Sequence, residues 1–252
     1  MGLPKTVLVT GGAQRVGRSI CLAMAEAGYA VAVHFNSSQG AADELVAQID
    51  ANGGRAASVG ANLANTEAVR ALMGKATDAL GTIGILVNNA STFVDDGFDV
   101  SDEAKWDTHF AVHVKSPAVL TSALYEQLPD DAEGLVVNII DQRVLKVTPK
   151  FPSYTLSKSA LWTATRTMAQ AFGPKLRVNA IGPGPTLPSS RQSQESFQQQ
   201  VDATILKRTP DLGEFAKTIL YFAEARSVTG QMIALDSGQH LAWETPDHLA
   251  QE

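Results

Sequence analysis

The sequence contains one cysteine, Cys21, so no internal disulfide can form and no thiolate cluster can hold a metal. Aromatic residues are sparse at 6% and charged residues make up 18%, beside 44% hydrophobic. This balance excludes a disordered, collagen-like or coiled-coil chain. Positive charge is in deficit, with 20 Lys and Arg against 26 Asp and Glu and a net charge of −6. The basic residues are scattered, which argues against a nucleic-acid backbone binder. No apolar run approaches the roughly 18 residues that span a bilayer, and Val7-Leu8-Val9 is too short for a signal-peptide core, so a cytoplasmic protein without a membrane partner is expected. No Pro/Gly/Ser-rich or highly charged stretch divides residues 1–252, which predicts a single domain. The five histidines are dispersed; His109 and His113 share helical spacing but lack an acidic partner at a metalloprotease-like interval, and no metal site is expected.

Two short patterns carry no weight. Met1 to Thr6 fits a myristoylation signal, but it contains Pro4 and runs straight into an apolar strand. Asn36-Ser37-Ser38 and Asn89-Ala90-Ser91 fit glycosylation acceptors, which matter only in an exported chain.

β-branched runs alternate with helical patterns along the whole sequence. Strands are predicted at Thr6 to Thr10, Ala30 to Phe35, Arg55 to Gly60, Ile83 to Asn88, Gly134 to Ile140, Leu176 to Ile181 and Gln231 to Leu235. Helices are predicted from Val16 to Ala27, Ala41 to Ala51, Thr66 to Leu80, Asp107 to Leu128, Tyr154 to Phe172 and Leu212 to Ala225. Several strands are continuously apolar, as in sheets covered on both faces. The alternation predicts an α/β, Rossmann-type doubly wound, seven-stranded mainly parallel sheet with helices on both faces. A ligand crevice then lies at the carboxyl ends of the strands, where each chemical motif begins.

Thr10-Gly11-Gly12-Ala13-Gln14-Arg15-Val16-Gly17 follows the first strand and opens the first helix. Free N–H groups and the helix dipole favour a pyrophosphate there, and glycine permits the close approach. Glycines alone read equally as a turn, but the βαβ setting favours a dinucleotide. After the second strand, where an NAD site places a carboxylate, stand Asn36, Ser37 and Ser38. With no charge to repel a 2′-phosphate and Arg15 as the nearest base, the expected cofactor is NADPH/NADP.

Tyr154 and Lys158 lie one helical turn apart. Taken singly they read as an incidental surface pair; beside the glycine turn they read as an acid/base tyrosine with a lysine that lowers its pKa.

With these motifs the chain resembles the short-chain dehydrogenase/reductase family over essentially its whole length. Further matches are Asn88-Asn89-Ala90, Asn179-Ala180-Ile181-Gly182-Pro183-Gly184 with Thr186, and Thr229-Gly230-Gln231 leading to Asp236-Ser237-Gly238. The resemblance implies that Tyr154 is the acid/base and that Lys158 binds the nicotinamide ribose and lowers the Tyr pKa. It further implies that Gly11, Arg15, Val16, Gly17, Asn89, Ala90, Pro183, Gly184 and Thr186 contact the cofactor, with Asn62 and Leu63 at the adenine.

Three departures narrow the choice. Most members carry a serine thirteen residues before the tyrosine, and this chain has Asp141. An ionised carboxylate only accepts hydrogen bonds and would repel a developing alkoxide, so it suits protonation at nitrogen during C=N reduction. This is similar to the pteridine reductase and dihydromonapterin reductase branch, as are Arg15, Ser91 and Phe93. That branch implies a pterin sandwiched between Phe93 and the nicotinamide, its polar edge bound by Arg15, Ser91, Asp141 and Tyr154. Singly, Phe93 reads as loop packing, Ser91 as a turn residue and Asp141 as a structural partner of Arg143. His113 stands where many members place an asparagine that organises a proton-relay water, although it reads as well as a core-facing histidine. Asn62 replaces an aspartate that usually contacts adenine.

The expected activity is NADPH-dependent reduction of a dihydropterin to a tetrahydropterin, with Tyr154 and Asp141 delivering the proton. The rivals are a generic carbonyl reductase in which Asp141 stays protonated, and a nucleotide-binding protein without turnover. The polar stretch from Thr186 to Gln200 is expected to be a substrate lid, and the resemblance implies a homotetramer.

Overall fold

Seven strands, β1 (Thr6–Val9), β2 (Ala30–Phe35), β3 (Ala56–Gly60), β4 (Ile85–Asn88), β5 (Gly134–Ile139), β6 (Leu176–Pro183) and β7 (Met232–Leu235), form one sheet in the order β3-β2-β1-β4-β5-β6-β7. Every neighbouring pair is parallel. The computed structural model describes residues 2–99, 102–188 and 192–243.

Alternate strand residues feed two cores. Val7, Val9, Val31, Val33 and Ile85 meet α1 (Arg15–Glu26), α2 (Gln39–Ala51) and α8 (Leu212–Glu224) through Ile20, Met24, Leu45, Phe215 and Phe222. Leu8, Ala32, Leu86 and Val136 meet α3 (Thr66–Leu80), α5 (Ser116–Gln127) and α6 (Pro152–Phe172) through Leu72, Leu120, Leu124 and Met168. β1, β4 and β5 are buried at every residue, which is why they read as continuous apolar runs. Truncating one such leucine to alanine costs about 2–5 kcal/mol.

The chain winds outward to β3 on one side and to β7 on the other, so the order reverses between β1 and β4. The ends of β1, β4, β5 and β6 deliver the glycine turn, the segment after Asn88, Asp141 and the Pro183-Gly184 turn to one crevice.

Two elements differ from expectation. The helix expected over Asp107 to Leu128 is α4 (Glu103–Phe110), a π-helical turn Ala111–Lys115, and α5. Ser116 N–H reaches the Ala111 carbonyl, five residues back, and Pro117 has no N–H to close an α-helical bond on the carbonyl of His113. The stretch expected as a polar lid contains α7 (Gln194–Asp202), opened by Ser193, whose hydroxyl accepts the Ser196 N–H. The lid expectation also covers 189–191, which lie outside the described residues, as do residues 244–252.

Candidate active site

The glycine turn is tied to the end of β4 by a compact hydrogen-bond set. Thr10 Oγ1 accepts the N–H groups of Asn89 (2.9 Å) and Ala90 (3.0 Å) and donates to Val87 O at 3.3 Å. Asn89 Nδ2 donates to the carbonyls of Thr10 and Gly11 at 2.9 and 3.1 Å. Gly11 has φ +62°, and a Cβ on Gly17 would stand 2.1 Å from Gly11 O, so neither position accepts a side chain.

The Gly11 N–H donates to His34 Nδ1 at 2.9 Å, which fixes the neutral tautomer with Nε2–H directed to Ala61 O at 3.0 Å. Burial pushes the His34 pKa down to about 4. The strand histidine is thus a brace between the glycine turn and the segment after β3.

Two helix ends at this side of the crevice are left electropositive. Neither Gln14 before α1 nor Ser38 before α2 makes a side-chain cap, and neither first turn carries an acidic residue. By contrast α3, α7 and α8 are capped by Asn65, Ser193 and Asp211 and carry Glu67, Glu195 and Glu214 in their first turns. An uncapped, uncompensated N-terminus is the condition under which a helix takes an anion. Asn36 and Ser37 are exposed beside α2 with Ser38 half-buried. The side chain of Asn62 accepts from Ala64 N–H, and the Leu63 side chain is buried in the core, leaving its backbone for a ligand. Arg15 donates to Leu187 O at 3.3 Å, joining the glycine turn to the segment after β6. There Gly184 packs so closely on Asp236 that a Cβ would lie 2.7 Å from the Asp236 Cα, and Thr186 Oγ1 donates to Gly184 O.

On the other side, Tyr154 and Lys158 occupy the first turns of α6, both buried. The Tyr154 hydroxyl donates to Asp141 Oδ2 at 2.9 Å, while Asp141 Oδ1 accepts the Arg143 backbone N–H at 2.8 Å. Asp141 therefore does pair with Arg143, through the backbone N–H. The guanidinium instead lies over Phe93, Phe151 and Tyr154, at 5.9, 5.5 and 5.7 Å from the ring centroids. Phe93 is 40% exposed and packs on Phe151 (4.5 Å) and edge-on to Tyr154 (4.8 Å).

Burial, then the charge and hydrogen bond of Asp141, raise the Tyr154 phenol well above its ordinary value, against smaller lowering effects of Arg143 and Ser91. Lys158 Nζ donates to Ile139 O at 2.9 Å and lies 5.8 Å from the Tyr154 ring centroid. Its own pKa is lowered to about 8 by burial, partly offset by Asp141. Tyr154 is therefore a protonated donor at neutral pH.

His113 is buried beneath this cluster. Its Nε2 accepts the Thr92 N–H at 3.1 Å and lies 3.0 Å from Ser91 Oγ, while Nδ1 meets Ser157 Oγ at 2.8 Å. Burial, then the charges of Lys158 and His109, push its pKa far down, so the ring is neutral.

Asp141, Tyr154, Lys158, His113, Ser91 and Phe93 thus converge, whereas Arg15 joins the loop after β6. Sequence reasoning missed Phe151, which precedes α6 with φ +57°, a conformation that costs a non-glycine residue about 1–2 kcal/mol. The following Pro152 signals a helix start but not that the ring turns inward. Ser153 and Ser157 were missed as well, since no local pattern marks them, and Arg143 was read only as a partner of Asp141.

A model of the short chain dehydrogenase family matches residues 5–199, and the chain belongs to that family. Among solved structures, FolM alternative dihydrofolate reductase 1 from Brucella canis, complexed with NADP, is 55% identical with a TM-score of 0.94, covering 97% of each chain. The Brucella suis counterpart, also with NADP, is 55% identical with a TM-score of 0.95, covering 98% of this chain and 99% of that one. Among curated sequences, a 3-oxoacyl-[acyl-carrier-protein] reductase FabG of Staphylococcus epidermidis is 27% identical over 242 residues, 94% of this chain and 99% of the relative.

Proposed function

We propose that the protein is an NADPH-dependent reductase that converts a dihydropterin to a tetrahydropterin in the cytoplasm, as a homotetramer. The observation that carries the substrate class is the 2.9 Å bond from Tyr154 O–H to the Asp141 carboxylate, beside the exposed face of Phe93. A ketone reductase needs donors at a developing alkoxide, and a carboxylate at that point opposes it. A flat heterocycle with N–H groups suits the same point, since a carboxylate accepts from its edge and an aromatic ring stacks on its face. The 55% identity to two NADP-bound alternative dihydrofolate reductases supports the same reading.

The protein's own residues fit the cofactor. The glycine turn and the uncapped starts of α1 and α2 would take the phosphates, with Asn36, Ser37 and Ser38 around a 2′-phosphate and Arg15, Val16, Asn89 and Ala90 along the crevice. Asn62 and Leu63 would line the adenine, while Lys158 would hold the nicotinamide ribose and Pro183, Gly184 and Thr186 the ring. Bound NADPH supplies the hydride that adds to the carbon of the C=N bond. Tyr154, kept protonated by burial and Asp141, gives its proton to the nitrogen, and Asp141 keeps the phenol oriented. Ser91 and Arg15 would bond the substrate's polar edge.

Initial-rate NADPH oxidation with dihydropterins beside simple ketones tests this. Pterin turnover that is lost in Asp141→Ser and in Tyr154→Phe is expected. Ketone turnover that rises in Asp141→Ser, with pterins inert, overturns it in favour of a carbonyl reductase, the chemistry of the 27%-identical FabG relative. NADPH binding without turnover of any substrate would leave a nucleotide-binding protein.

A further inference from the structure

The segment after β4 carries the aromatic face of the site, yet it has no regular secondary structure from Ser91 to Gly97. Its backbone is held by side chains instead. Thr92 N–H donates to His113 Nε2 at 3.1 Å and Val94 N–H donates to His109 Nε2 at 3.3 Å. Alternate amides are thus taken by two histidines one helical turn apart, stacked with centroids 5.5 Å apart. Because each Nε2 accepts, each neutral ring carries its hydrogen on Nδ1. Those hydrogens point to α6: His109 Nδ1 lies 2.6 Å from Ser153 Oγ, and His113 Nδ1 lies 2.8 Å from Ser157 Oγ. The Ser157 hydroxyl passes its own hydrogen to Tyr154 O at 2.8 Å. A third tie closes the end of the segment, where Asp96 Oδ2 accepts Ser153 N–H at 3.1 Å. Phe151 gives α6 no side-chain cap, and the Asp96 carboxylate takes that place.

Each rung therefore runs from a loop amide, through a histidine, to a serine on the helix that carries Tyr154. Phe93 sits between the two amides and packs edge-on to Tyr154 at 4.8 Å. We propose that His109 and His113 are positioning residues, a two-rung latch that holds Phe93 at a set distance from Tyr154 and so governs affinity for the flat substrate ring. The latch rests on the dihydropterin reading for its consequence, though not for its geometry. His109 matters most to this inference, since its bonds go to Val94 and Ser153 while its ring stacks on His113 and packs edge-on to Tyr154 at 6.0 Å.

The test uses the full chain with His109→Phe, which keeps a ring of similar size but removes both bonds, and His109→Gln, whose amide oxygen can accept near the place of Nε2. His109→Phe should raise the KM for dihydropterin at least ten-fold with kcat changed less than three-fold and NADPH affinity retained. His109→Gln should restore most of the loss. A KM unmoved by His109→Phe, or kcat and NADPH affinity falling together with it, overturns the latch. Amide hydrogen exchange of a peptide covering residues 91–98 separates this from failure of the substrate assignment. Faster exchange in His109→Phe and recovery in His109→Gln are expected even if no pterin is turned over. Unchanged exchange overturns the latch whatever the substrate proves to be. If His109→Phe does not fold, Ser153→Ala, which removes only the partner of Nδ1, should give the same changes to a smaller degree, and a Ser153→Ala protein with wild-type KM and exchange overturns the proposal.

Discussion

The two sides of the crevice are assembled by different means. On the nucleotide side, the shape is set mainly by backbone: glycines at 11 and 17 let the turn close, Thr10 and Asn89 tie it to the end of β4, and two helix ends are left without caps or acidic neighbours. A single histidine, His34, braces it. On the substrate side, positions are set by side chains reaching across the fold, from Asp141 to Tyr154 and from His109 and His113 to Ser153 and Ser157. In both places a buried neutral histidine accepts a loop N–H and donates to a second element. The nucleotide side uses the device once, to steady a turn whose shape glycine already determines. The substrate side uses it twice, along a segment after β4 that has no regular secondary structure of its own. A backbone-built site is general to any nucleotide of that geometry, whereas a side-chain-built site can be retuned one residue at a time.

The contrast breaks first at Tyr154. Tyr154→Phe should reduce kcat by about 10³-fold, near 4 kcal/mol of transition-state stabilisation, with NADPH affinity retained. Steady-state rates beside direct NADPH titration check that the two sides separate. Asp141→Ser comes next, with a fall of about 100-fold in kcat/KM for dihydropterin, close to 3 kcal/mol, measured on the same panel as the ketones. The brace on the nucleotide side should show itself in pH dependence. His34 has a folded pKa of about 4 against about 6.5 when unfolded, so the unfolded chain binds the extra proton between those values. The contribution is complete above pH 6.5 and is lost as pH falls, by about 2 kcal/mol at pH 5. Urea denaturation of wild type and His34→Gln at pH 7 and pH 5 should show the larger loss in wild type; equal losses would mean that the ring is not held neutral. The smallest effect sharpens the substrate side: Phe93→Ala should raise the dihydropterin KM about ten-fold, near 1.4 kcal/mol, and leave the NADPH titration in place.

The same division explains what could be read from the sequence. Strand and helix alternation, the glycine turn, the Tyr154 and Lys158 spacing and the place of Asp141 are local or periodic signals, and the seven expected strands form one sheet with every neighbouring pair parallel. The departures come from long-range or single-residue causes. His109 finds Ser153 44 residues away, and Asp96 finds Ser153 57 residues away, so no local pattern marks either. The Tyr154 pKa lies well above its ordinary value because burial and the Asp141 carboxylate outweigh Arg143 and Ser91, a balance that no local spacing shows. Pro117 is the one visible cue that the long helix could not be uniform.

That π-helical turn is, in effect, a change of phase in a single long helix. Ahead of it, His109 faces α6 and the serines of the active site; beyond it, Leu120 and Leu124 face the core beside α3. A uniform α-helix would carry one stripe along its length, and one of the two sides would be misaligned. The extra residue held in the turn lets one continuous rod serve catalysis with its first half and the sheet with its second. Deleting Val114 would therefore damage the site without removing any residue in it, by rotating the histidines away from the helix they are meant to meet.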